Sequence, residues 1–196
     1  LSDESVMLAL GEVAALANDA TRLQTILAGV LARRSARDLG HNGLSATHGH
    51  ASPASLIQSI TGGSKADAVR QVRVGSLLFD ENGTDATPGD AADAVVPTDA
   101  APATPWHEPL RRALLEGTLT TEQQDAIRRG LGDPIDERAW MIAAEQLIDE
   151  APTMPVEELG KRARIVRDLL DPAGAEERGL RRYEQRAFKP WTDQDG

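Results

Sequence analysis

Residues 4–38 contain no proline and carry a repeating apolar seam. No other feature limits the possible folds as strongly. Val6, Leu10, Val13, Ala17, Ala20, Leu27 and Leu31 recur at alternating spacings of four and three, with Gln24 taking one step. This is the spacing of one stripe along an α-helix, close to the heptad pattern of a coiled coil. A continuous helix over this stretch would be roughly 50 Å long. One short neighbour cannot cover it, so it either crosses a whole domain as a bundle helix or pairs with a second chain. The residues leave both readings open. Gly40, directly after Leu39, is the expected stop signal.

Composition extends the helical reading to the rest of the chain. Only six of 196 residues are aromatic (three Trp, two Phe, one Tyr), so alanine and leucine must supply most of the core, which favours helices over sheets. The expected fold class is all-α: an elongated helical bundle with a long N-terminal helix. Cysteine is absent, which excludes disulfides and thiolate metal sites. No apolar run approaches the roughly 20 residues that span a bilayer, and Leu1–Asp3 lacks the basic start of a signal peptide. The expectation is therefore a cytoplasmic chain with no membrane partner. Opening on Leu1 and closing on TDQDG reads as a fragment of a longer protein.

The stretch Ser52–Phe79 reads as a short helix, a glycine turn and a longer helix. Ser52 caps and Pro53 occupies the first helical position. Thr61-Gly62-Gly63 stops the helix, because glycine adopts the left-handed conformation cheaply. Ser64 then caps a second helix beginning at Lys65. This is the outline of a helix-turn-helix and makes DNA a partner to test. Lys65, Arg70 and Arg73 could reach phosphates, and Gln71 a base edge. Against that, Ala68, Val69, Val72 and Phe79 share one face while Val74, Leu77 and Leu78 lie on others. A helix apolar all round in its second half is expected to be buried.

Charge is unevenly distributed under a net charge of −10. Residues 1–79 carry six acids and seven bases, residues 80–105 six acids and no base, and residues 106–196 nineteen acids and fourteen bases. The helix-turn-helix candidate thus lies in the least acidic part of a chain that is not a generally basic nucleic-acid binder. Residues 80–105 also hold four prolines, no aromatic and no periodicity, and are expected to form a mobile insertion. It separates an N-terminal part, 1–79, from a C-terminal part, 106–196, expected to pack on the first.

The C-terminal part has clear helix punctuation. Pro109–Glu116 ends at Gly117, and Thr120 with Gln123 resembles a capping box. Asp136–Asp149 places Trp140, Ala143, Ala144, Leu147 and Ile148 on one face. Pro155 opens a helix with Val156, Leu159, Ala163, Val166 and Leu170 inward. Asp171-Pro172 opens the last helix, on which Arg178, Arg181, Arg182 and Arg186 fall on one broad face. That basic stripe could grip a nucleic-acid backbone or be a solvated face balanced by acids. A short strand over Phe188–Thr192 is the only strand candidate.

Three blocks in succession resemble a known family. They are HASPASLIQSITGGSKADAVRQVRVG, then PLRRALLEGTLTTEQQDAIRRGL, then VEELGKRARIVRDLLDPAGAEERGLRRYEQRAF. Together they are similar to domain-of-unknown-function family 222, the N-terminal region of actinobacterial proteins that end in an HNH nuclease module. The resemblance spans roughly Val6–Phe188, excluding 80–105. It implies accessory work: holding nucleic acid, or assembling subunits, for a nuclease module further along.

The remaining chemistry is sparse. His48-Gly49-His50 and His41 lack a third ligand at a metal-site spacing. Ser52 and Ser64 read as caps, and Glu157-Glu158 and Glu176-Glu177 sit in first helical turns where the dipole favours them. Gly62-Gly63 lacks the residues of a phosphate loop. No catalytic constellation, metal site or cofactor site is expected. Two functions remain. One is a non-catalytic DNA-contacting domain using Lys65, Arg70, Arg73, Arg178, Arg181, Arg182 and Arg186. The other is a homo-oligomerisation scaffold using Val6, Leu10, Val13, Leu27 and Leu31.

Overall fold

A computed structural model of the chain describes residues 2–80 and 105–184, except the side chains of Arg182 and Glu184. The expected insertion, apart from Asp80 and Pro105, and the strand candidate at 188–192 lie outside the described residues. Nine α-helices and no strand are present among them: α1 (Asp3–Arg33), α2 (Leu44–Thr47), α3 (Pro53–Thr61), α4 (Lys65–Leu77), α5 (Glu108–Glu116), α6 (Thr121–Leu131), α7 (Glu137–Glu150), α8 (Val156–Leu170) and α9 (Pro172–Glu184). The fold is an all-α helical bundle, and its caps follow the sequence. Ser52, Ser64 and Thr120 each accept a backbone N–H three residues on, and Gln123 returns the bond to the Thr120 N–H. Gly62 and Gly117 take left-handed conformations at helix ends.

The first helix stops earlier than the expected residue 38. It ends at Arg33, and residues 37–42 form a 3-10 segment in which Gly40 has φ 48°. The chain turns back because Ser35 and Ser45 bond to one another. Their hydroxyls are 2.8 Å apart, the Ser45 N–H donates to Ser35 Oγ, and the Leu44 N–H donates to the Arg34 carbonyl. These local bonds outcompete continuation of the helix.

Helix α4 is the hub. It crosses α1 at a point where Gly29 and Gly75 meet backbone to backbone, and a Cβ on either glycine would collide with the other helix. Ala28, Ile57 and Ala68 form a small core between α1, α3 and α4, with Leu31, Ala54 and Val72 against it. Val74, Leu78 and Leu114, with Ile26 and Phe79, join α4 to α1 and α5. The largest core lies in the C-terminal part, where Leu110, Ile127, Leu131, Trp140, Leu147 and Leu159 are essentially fully buried. Trp106 meets Trp140 edge to face at 4.6 Å, and the Trp140 indole N–H donates to the Gly132 carbonyl.

Two inward assignments fail on exposure. Val69 is 38 % exposed and Leu170 is 42 % exposed. Each lies at the margin of its helix's packed face.

Candidate functional site

The arginines that made α4 a groove-reading candidate are turned inward onto α6. Arg73 makes a bidentate contact with Asp125, its Nε and Nη2 donating at 2.7 and 2.8 Å. Arg70 donates to Glu122 at 3.0 Å and lies 3.2 Å from Asp67, with its Nε 4.0 Å from Asp125. Asp125 is 5 % exposed and is the anchor that sequence reasoning missed. Its only signal was an acid placed two positions after the Gln123 of a capping box. Gln71 donates to Gln24 on α1 at 3.2 Å. Lys65 stands exposed at the first position of α4.

The basic stripe of α9 is likewise engaged where it is described. Arg178 bridges Asp168 and Asp171, with both contacts at 2.8 Å. Desolvation pushes the Asp168 carboxyl up, but hydrogen bonds and charge from Arg178 and Arg167 outweigh it, leaving it below the ordinary carboxylate range. Asp171 is lowered chiefly by its Arg178 hydrogen bond and also by the Gly174 N–H. Arg181 pairs with Glu177 one turn away at 2.6 Å. The Arg182 side chain and Arg186 lie outside the described residues. Arg70 and Arg73 therefore tie α4 to α6, and Arg178 ties α9 to α8, while Arg181 pairs within α9.

The N-terminal helix presents the opposite situation. Its packed face is made of small residues, Thr25, Ala28 and Gly29. The Thr25 hydroxyl lies 2.9 Å from that of Thr121 in a buried contact with α6. At 100° per residue, Leu27 points about 160° away from Gly29. That outer face continues toward the N-terminus through Leu23, Leu16, Val13, Leu10 and Val6. Their exposures are 49 % for Val6, 62 % for Leu10, 63 % for Val13, 70 % for Leu16, 61 % for Leu23 and 66 % for Leu27. The whole run of residues 2–20 is exposed. Leu31 leaves the seam: it is half-buried and packs on the Ala28, Ile57 and Ala68 core.

The sequence expects one seam either to pack within a bundle or to pair with a second chain, but its residues do not share one environment among the described residues. Four of the five seam residues proposed for oligomerisation, Val6, Leu10, Val13 and Leu27, are exposed, and the fifth, Leu31, serves the core.

Among the described residues no group of His, Asp and Glu is arranged to hold a metal ion, and no helix is long and apolar enough to cross a membrane. The His50 ring lies 3.2 Å from the Ser55 hydroxyl. His107 is the one buried histidine among the described residues, 1 % exposed, its ring edge to face with that of Trp106 at 5.2 Å, over which the Arg128 guanidinium lies. Comparison with protein-family models, with curated proteins and with solved structures finds no match to this chain.

Proposed function

We propose that this chain is a non-catalytic assembly module that associates with a second copy of itself through the outer face of α1. The carrying observation is the apolar stripe from Val6 to Leu27, exposed on the face opposite the core. A contiguous apolar surface of this kind is characteristic of an interaction site rather than of a solvated helix face. Burying a Leu or Val side chain contributes about 1.5–3 kcal/mol. Six such residues from each of two chains are enough to offset an association cost of about 4–15 kcal/mol. The resemblance to the HNH-associated family supplies the wider role: the assembled modules would hold nuclease segments in a defined arrangement.

Direct DNA contact receives less support. Arg70, Arg73, Arg178 and Arg181 are each bonded to a carboxylate of the same chain. Redirecting Arg70, Arg73 or Arg178 to phosphates would break contacts that join helices.

The test is the solution mass. The expected result is a particle of about twice the 21.0 kDa chain mass, reverting to a monomer of unchanged helical content in Leu10→Glu/Leu27→Glu. A wild-type monomer at all concentrations overturns the proposal. Salt-dependent binding of duplex DNA that is lost in Arg70→Glu/Arg73→Glu, with the fold intact, would return the function to nucleic-acid contact.

A further inference from the structure

The charges on α1 are segregated along its length. Asp3, Glu4, Glu12 and Asp19 all precede residue 20, and Arg22, Arg33 and Arg34 all follow it. Asp19 and Arg22 pair with one another at 2.9 Å, so the remaining acids lie toward the N-terminal end and the remaining bases at the C-terminal end. Two copies of α1 lying parallel on their apolar faces would set acid beside acid and arginine beside arginine. Lying antiparallel, they would set each acidic end beside a basic one. Matching of opposite potentials is what orients such interfaces and disfavours the alternative.

The sizes of the side chains point the same way. Centring the stripe on a two-fold axis between Leu16 and Ala17 sets Val6 against Leu27 of the partner subunit and Leu10 against the partner's Leu23. It also sets Val13 against the partner's Ala20 and Leu16 against the partner's Ala17. Large residues meet small ones in the middle, and apolar residues meet at the ends, which is how facing layers interdigitate. A parallel pair of the same stripe would instead set Leu16 and Leu23 on their own copies and Ala17 and Ala20 on theirs, large on large and small on small. The axial offset brings Asp3 within about three residues, roughly 4.5 Å of rise, of the level of Arg33 of the partner subunit.

We infer that the self-association proposed above, on which this inference rests, is antiparallel about a two-fold axis between Leu16 and Ala17. Each compact body packs on the half of α1 that follows residue 20. The two bodies then lie at opposite ends of the paired helices, about 30 Å apart along the axis. Segments attached to them are held apart rather than side by side.

The absence of cysteine allows a clean cross-linking test on the full chain. Val6→Cys and Leu27→Cys proteins are prepared separately, then oxidised alone and after mixing. Leu16→Cys, next to the axis, serves as a control that cross-links in either orientation once the chains associate. The expected result is a covalent dimer from the mixture and from Leu16→Cys, and its loss when Val6→Cys or Leu27→Cys is oxidised alone. Efficient cross-linking of Val6→Cys with itself, in a protein of dimer mass, overturns the antiparallel arrangement and leaves self-association standing. A wild-type monomer with no Leu16→Cys cross-link overturns both.

Discussion

The two ends of α1 are built from the same kinds of residue and meet opposite fates. From Thr21 onward the helix is held by small side chains: Thr25, Ala28 and Gly29 let α4 approach until backbones touch at Gly29 and Gly75. Before Thr21 the helix has no packed neighbour among the described residues, and its leucines and valines are exposed. Hydrophobicity alone would have put the core at the leucines. The lesson is that close approach between helices is decided by where side chains are absent, and large apolar residues can then be left for a second surface.

The largest effect is expected from breaking the close crossing. Gly75→Leu puts a side chain where the α1 backbone already lies, and should destabilise the chain by about 3 kcal/mol or more. Urea unfolding followed by circular dichroism measures it, and an unchanged midpoint would mean that the two helices do not touch there.

A sharper contrast comes from neighbouring leucines of one seam. Leu31→Ala removes a half-buried side chain and should cost about 2 kcal/mol. Leu27→Ala should leave the unfolding midpoint of the monomer within about 0.5 kcal/mol while weakening self-association. Equal costs for the two would erase the distinction between the inner and outer faces.

Asp125→Ala tests the inward turn of the arginines. It leaves Arg73 without its bidentate partner, while Arg70 keeps Glu122 and Asp67, at a cost of about 2 kcal/mol. An increase in salt-dependent DNA binding is not expected to accompany it. If stability were unchanged, those ion pairs would not be structural and Arg70 and Arg73 would again be candidates for an external ligand.

A smaller effect should come from His107. Burial lowers its pKa, the facing charges of Asp80 and Glu108 and the nearby Leu77 backbone raise it, and Arg128 lowers it, with burial the largest influence. Neither ring nitrogen meets hydrogen-bond geometry with a partner among the described residues. A histidine held below its unfolded value binds fewer protons in the native state. Its contribution is therefore fully present above about pH 6.5 and is lost as pH falls below it. Stability should decline as pH falls below about 6.5, and His107→Leu should flatten that slope. Carboxylates such as Asp168 and Asp171, lowered by Arg178, lose their contribution only at more acidic pH, below about 4, so the two windows separate.

Helix positions were largely legible in the sequence because their signals are local. Ser52, Ser64, Thr120 with Gln123, Gly62 and Gly117 act on backbone groups within four residues, and each appears in the structure where the sequence places it. The end of α1 was less legible. Its stop depends on Ser35 meeting Ser45, ten residues away, whereas the local stop signal is Gly40. The arginine partners were not legible at all: Asp125 lies 52 residues beyond Arg73, and nothing in either local pattern links them.

The sequence by itself determined that the chain is helical, where most helices start and stop, and that one long helix carries an apolar stripe, because capping and periodicity are properties of neighbouring residues. Only the tertiary structure decided which face of α1 is inside, that Leu31 serves the core while Leu27 does not, and that the arginines of α4 hold α6. Those outcomes depend on which helices can approach most closely, and the contacts that decide it, Gly29 with Gly75 and Arg73 with Asp125, join residues far apart in the chain.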